Sequence, residues 1–137
     1  MSQGGTAEAA EKRLPAALAG LQGGTVMRFV VDDALTLVLQ GGGREASVRI
    51  DGRGRLSRGG QAHAFSPDQD PGAAGPVLRL LHERIRDVRL ADDGTLTLVF
   101  GEGSELDLLP EDHHIAWAVA CGASSAACIA EGKVVWE

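Results

Sequence analysis

Tyrosine is missing from this sequence altogether, and its aromatic set is limited to three Phe and two Trp. So sparse a set excludes the stacking platform on which single-stranded nucleic acid is usually held. Lysine is nearly as scarce, present only as Lys12 and Lys133, so almost all positive charge is arginine. With heavy Ala and Gly use, that preference reads as the codon bias of a GC-rich genome. The net charge of −6 argues against a general nucleic-acid binder, which carries a basic footprint. Only Cys121 and Cys128 represent cysteine, too few for the disulfide framework of a small secreted scaffold. No window approaches the roughly 18 consecutive apolar residues of a membrane-spanning helix. The start, Met1-Ser2-Gln3-Gly4-Gly5 and then Ala/Glu-rich, lacks the basic-then-apolar order of a signal peptide. The expectation is a cytoplasmic chain with both thiols reduced.

What is present is a stretch that occurs twice. Asp32-Asp33-Ala34-Leu35-Thr36-Leu37-Val38-Leu39 returns as Asp92-Asp93-Gly94-Thr95-Leu96-Thr97-Leu98-Val99-Phe100. Each copy is an acidic turn, then a run of Leu, Thr and Val, then a Gly-rich turn and a further alternating segment. A chain of 137 residues fits one domain, and such a domain buries roughly 68% of its unfolded surface. The pattern predicts a mainly β protein with a minor α component. Two pseudo-repeated antiparallel three-stranded meanders and a C-terminal hairpin form a sandwich or a barrel, which the pattern leaves open.

In chain order, residues 1–20 read as a helical or flexible arm, with Thr6 as cap, good helix formers to Leu14, and Pro15 ending the first piece. Its thin apolar face predicts weak docking. Repeat one spans 21–51: a strand through Val26 to Val31, a second with Leu35, Leu37 and Leu39 on one face, and a third at Val48 and Ile50. Residues 52–75, rich in Gly, Pro, Ser, Asp and Arg, read as a long irregular loop. Repeat two spans 76–109. Pro76 opens a helix over about 76–84 on the stripe Val77, Leu78, Leu80, Leu81 and Ile85, and strands follow at Val88–Leu90, Leu96–Phe100 and Leu106–Leu108. Strands return over 114–136, closing on a hairpin with Glu131-Gly132 as a two-residue turn.

These segments resemble a group of small actinobacterial proteins known only as a domain of unknown function. The residues that carry the resemblance are Asp33-Ala34-Leu35-Thr36-Leu37, Pro76 to Leu81, Asp93 to Leu98, Ala116-Trp117 and Gly132-Lys133-Val134-Val135-Trp136. It covers about Leu18 to Trp136. Family members carry Tyr-Glu before the Ala-Trp and Glu after it, where this chain has His114-Ile115 and Ala118. The resemblance implies the fold and brings no activity with it.

Candidate chemistry is thin. Asp112, His113, His114, Cys121 and Cys128 invite a metal, but adjacent histidines on a strand point to opposite faces and Cys-x6-Cys is not a zinc spacing. A turn centred on Ser124-Ser125 would set Cys121 opposite Cys128 for a disulfide; other registers separate them. Cys128 with His113 or His114 is the only conceivable nucleophile pair, and its apolar neighbours Ala126, Ala127 and Ile129 disfavour a thiolate. Asp32-Asp33 and Asp92-Asp93 suit either calcium or turns that bond their own backbone, and the EF-hand spacing is absent. Gly41-Gly42-Gly43 lacks the Gly-Lys-Ser/Thr of a phosphate loop. The segment from Gly52 to Gly60, with Arg53, Arg55 and Arg58, suits an anion grip or a solvated edge loop.

No catalytic residue, metal ligand or cofactor follows from these residues. The function expected is a non-enzymatic cytoplasmic protein-interaction module. Arg53, Arg55 and Arg58 on one side and Glu102, Glu105 and Asp107 on the other serve as oppositely charged contact surfaces. One version is an immunity-type protein whose acidic run neutralises a basic toxin. The competing expectation is a small-ligand-binding β domain or degenerate enzyme with a pocket near Trp117 and Trp136. Self-association through an exposed strand edge is compatible with both.

Overall fold

Alternating apolar side chains build two stacked antiparallel sheets, seen in a computed structural model that describes residues 14–41 and 43–137. The first sheet takes β1 (Thr25–Val31), β2 (Leu35–Gly41), β3 (Arg44–Ile50), β9 (Trp117–Cys121), β10 (Ser124–Ile129) and β11 (Lys133–Trp136), in the order β1-β2-β3-β9-β10-β11. The second takes β4 (Gly54–Arg58), β5 (Gln61–Phe65), β6 (Ile85–Leu90), β7 (Leu96–Phe100) and β8 (Glu105–Leu108), in the order β5-β4-β8-β7-β6. The sheets do not close into a barrel, so the architecture is sandwich-like.

Both expected meanders are present, β1-β2-β3 in one sheet and β6-β7-β8 in the other. Each has one extra residue in its first strand, Met27 in β1 and Arg86 in β6, a bulge that sharpens the local twist. Cross-strand rows supply the interior. Leu35, Ile50, Trp117 and Cys128 form one row of the first sheet, and Leu37, Val48, Val119 and Ala126 the next. In the second sheet Leu98, Leu106 and Leu56 share a row, as do Leu96, Leu108 and Gly54. All belong to, or border, one continuous apolar core.

Four expectations are corrected. The irregular loop over 52–75 is instead a hairpin, β4–β5, followed by a 3₁₀ segment, Pro71–Leu80. Gly59 and Gly60, both at positive φ (59° and 85°), make its two-residue turn. Gly54 is required there because the Phe65 ring lies where a Cβ would stand, 2.3 Å from its nearest atom. The helix expected over 76–84 is that 3₁₀ segment: Ala74, Val77 and Leu80 are buried at a spacing of three, which fits three residues per turn. Pro76 lies inside it rather than at its start, and Ile85 already belongs to β6.

The described end of the arm, residues 14–20, does not dock weakly either. Its described part, after Pro15, is a single helical turn, α1 (Ala16–Ala19), and Ala17, Leu18 and Leu21 are fully buried. Gly20 sits so close to Cys121 that a Cβ would lie 2.7 Å from its sulfur. Of the helical piece read from the Thr6 cap to Leu14, all but Leu14 lies outside the described residues. Finally, Ile129 pairs with Lys133, so the last hairpin turns through three residues, Ala130–Gly132, rather than two.

Opposite ends of the sandwich are tied differently. At one end the backbone itself crosses: Gly23 N–H donates to the Ile85 carbonyl, Ile85 N–H to Gly24, and Val26 N–H to Glu83. At the other, the buried Trp117 Nε1–H donates to the Gly94 carbonyl at 3.0 Å, joining β9 to the turn between β6 and β7. That turn abuts the last hairpin, glycine to glycine. A Cβ on Gly94 would lie 2.5 Å from the Gly132 oxygen, and one on Gly132 would lie 2.2 Å from the Asp93 oxygen. Gly132→Ala is therefore expected to destabilise by about 2 kcal/mol or more beyond Gly122→Ala, as a steric clash in a packed region does. Both positions have positive φ, yet nothing lies within 4 Å of a Cβ at Gly122. Denaturant unfolding of the two variants makes the comparison, and equal losses would show that the contact is slack.

Candidate functional site

The two outer faces of the sandwich differ sharply. On the five-stranded sheet the register sets Thr97, Asp107 and Arg55 side by side across β7, β8 and β4. Asp107, only 9% exposed, accepts from Thr97 Oγ1 at 2.6 Å through one oxygen. Its other oxygen accepts from Arg55 Nη2 at 2.8 Å and Nε at 3.1 Å. Arg58 pairs with Glu102 at 3.2 Å. Arg53 Nε meets Glu111 at 3.0 Å, and the same carboxylate accepts the Arg53 backbone N–H. The arginines and acids expected to offer two opposed contact surfaces are thus neighbours, and most are paired with each other. Glu105 lies on the same sheet opposite Ser57. Sequence distance hid this arrangement, since Arg55 and Asp107 are 52 residues apart.

The remaining sequence candidates do not converge. Among the described residues no three His, Cys, Asp or Glu side chains gather as a metal site. His113 and His114 are exposed in the connection before β9, whereas Cys121 and Cys128 are buried within the first sheet. Cys121 faces Ser124 and Cys128 faces Trp117, so the disulfide register does not occur and both thiols are free. Burial, reinforced by the Asp93 carboxylate, pushes the Cys128 thiol above its ordinary pKa, the reverse of what a nucleophile needs. The acidic pairs have a local role in each meander. Asp32 accepts the Ala34 N–H and Asp93 the Thr95 N–H, both at 2.9 Å. The Thr95 hydrogen bonds hold Asp93 below the usual carboxylate range.

Trp117 and Trp136 do not share a pocket. Trp117 is sealed in the core with its one donor satisfied, while Trp136 is 61% exposed on the edge strand β11. Trp136 instead borders a shallow cleft of about 420 Å³ on the outer side of the six-stranded sheet. Two cross-strand rows build that side. One runs Val30, Thr36, Arg49, Ala118, Ala127 and Val135, the other Arg28, Val38, Ser47, Ala120 and Ser125. Ala118, Ala120, Ser125 and Ala127 on β9 and β10 make a small, uncharged patch, bordered on β3 by the partly exposed Arg49, which is paired with Asp51 at 3.0 Å. Partly exposed apolar side chains flank it, Val30 (41%) at one edge and Val135 (39%) at the other. Sequence reading passed over this face because small residues on alternate positions look like filler until the register aligns them.

A family model described as "Family of unknown function (DUF6188)" matches residues 17–137. Neither the curated proteins nor the solved structures contain a match to this chain.

If the charged ladder is structural, Asp107→Ala should lower unfolding free energy by about 1–3 kcal/mol, because Thr97 and Arg55 lose their shared acceptor. Arg55→Ala should cost less, under about 1 kcal/mol, since its guanidinium is half exposed. A double-mutant cycle in urea measures both. The cysteines give a second check: a thiol reagent should modify Cys121 and Cys128 only in denaturant, and rapid labelling of folded protein would restore the nucleophile reading.

Proposed function

The chain belongs to the DUF6188 family, a family of unknown function, and we propose that it is a non-enzymatic protein-interaction module of the cytoplasm, with the outer face of the six-stranded sheet as its contact surface. One observation carries this reading. That face combines a patch of small Ala and Ser side chains with exposed Val30 and Val135 at its margins, and the edge residue Trp136 borders its cleft. A patch of small uncharged side chains with apolar residues at its sides suits a protein interface, whose core is depleted of charge. The opposite sheet has the reverse character, its outer charges paired with one another. Two free thiols suit a reducing compartment.

In the toxin-neutralising version the acidic surface is partly engaged already, Glu102 by Arg58 and Asp107 by Arg55. The ligand-pocket reading loses Trp117, which is sealed in the core, and keeps only the shallow cleft beside Trp136. The duplicate meanders support descent from one copied three-stranded unit: each has a bulged first strand and an Asp-bonded turn. In the second copy Gly94 admits the contact to Gly132.

A photo-crosslinking residue tests the surface. Placed at Ala127 in the protein expressed in its native host, it should give a discrete protein adduct that disappears with Ala120→Arg. Placed at Arg89 on the other sheet, it should give none. Equal labelling from both faces, or none from Ala127, would remove the reading.

A further inference from the structure

Three of the four sheet edges carry a device against pairing with another strand. β1 has the bulge at Met27 and is hydrogen-bonded at its start to residues 82–85. β6 has the bulge at Arg86. β5 is flanked by the 3₁₀ segment, where His63 Nε2 meets the Ala73 carbonyl. The fourth edge, β11, runs in unbroken register with β10 and has no neighbour on its other side among the described residues.

The phase of its hydrogen bonds follows from one pair. Glu137 N–H donates to the Ser125 carbonyl at 2.9 Å, and Ser125 N–H donates back at 3.3 Å. In an antiparallel ladder such pairs alternate, so Val135 with Ala127 and Lys133 with Ile129 are also bonded pairs. Val134 and Trp136 therefore turn their N–H and C=O groups away from β10, toward the open edge.

We propose that this edge pairs antiparallel with the same edge of a second copy, about a two-fold axis at Val135. In that register Val134 of each copy exchanges two backbone bonds with Trp136 of the other. Lys133 stands opposite Glu137, twice, and Val135 meets its own counterpart. Sliding by one bonded pair sets Glu137 opposite Glu131 in one direction and opposite Val135 in the other, so charge pairing selects the register. An axis perpendicular to the sheet keeps both outer faces on one side, joining two six-stranded sheets into one and covering the exposed Trp136. The pairing stands apart from the partner-binding reading and holds whether or not that face engages another protein.

Sedimentation of the full chain up to millimolar concentration should show a monomer–dimer equilibrium. Amide exchange at Val134 and Trp136 should slow as concentration rises. Val134→Pro removes only the outward N–H, and Lys133 before it already has φ −76° and ψ 128°, which proline tolerates. It should weaken the dimer by more than about tenfold. Lys133→Glu and Glu137→Lys should each weaken it by about tenfold alone, and an equimolar mixture of the two should associate like the natural chain. Thermal unfolding of each variant as dilute monomer checks that the fold survives. A monomer at every concentration, a dimer indifferent to Val134→Pro, or a charge-reversed mixture that fails to recover would each overturn the proposal.

Discussion

The indole of Trp117 reaching the carbonyl of Gly94 is the contact on which the arrangement of the two sheets depends. Stacked sheets are held mainly by apolar burial, which is strong but non-directional, so it leaves their relative position loosely specified. A buried hydrogen bond is directional and costly to leave unmade. At this end of the sandwich it is supported by the glycine pair, since Gly94 and Gly132 let two turns approach as backbone to backbone. The Glu131 N–H adds a bond to the Glu111 carbonyl alongside them. At the other end the crossing of Gly23–Val26 with Glu83–Ile85 does the same by main chain alone.

Charge is used inwardly on this molecule. Arg53 and the arginines of β4 sit beside carboxylates in the turn after β7, in β8 and at Glu111, so an acidic chain presents few unpaired groups on its five-stranded face. Such pairs contribute modestly to stability where exposed, but they keep that face hydrated and sheet-specific. The six-stranded face has the opposite economy of side chains, small at the centre and apolar at the sides. The asymmetry between the faces is what singles out the six-stranded one as the proposed contact surface.

Edges complete that division. Bulges, a covering 3₁₀ segment and a crossed corner occupy three of them, each a way of withdrawing unpaired backbone from other strands. β11 retains a straight ladder and a sequence, Lys133 to Glu137, whose charges are complementary to its own reversal.

Period-two alternation was enough to place both meanders, because strands such as Leu35-Thr36-Leu37 and Leu96-Thr97-Leu98 bury every second residue and that rule is local. The Asp-bonded turns were legible for the same reason: Asp32 and Asp93 act within two residues of themselves. The β4–β5 hairpin was written in Gly59-Gly60 but masked by the Pro- and Gly-rich residues after it, and the 3₁₀ segment looked α-helical because Leu78 and Leu81, which are in fact exposed, filled out the stripe of Val77, Leu80 and Ile85. Everything that joins distant parts waited on the tertiary structure. The pairing of Arg55 with Asp107, the seat of Trp117 on Gly94, the exposure of Trp136 and the flat outer face all depend on which strands become neighbours. Local sequence sets the face on which a side chain lies, but only the strand order, chosen by the joint burial of both sheets, sets what stands beside it.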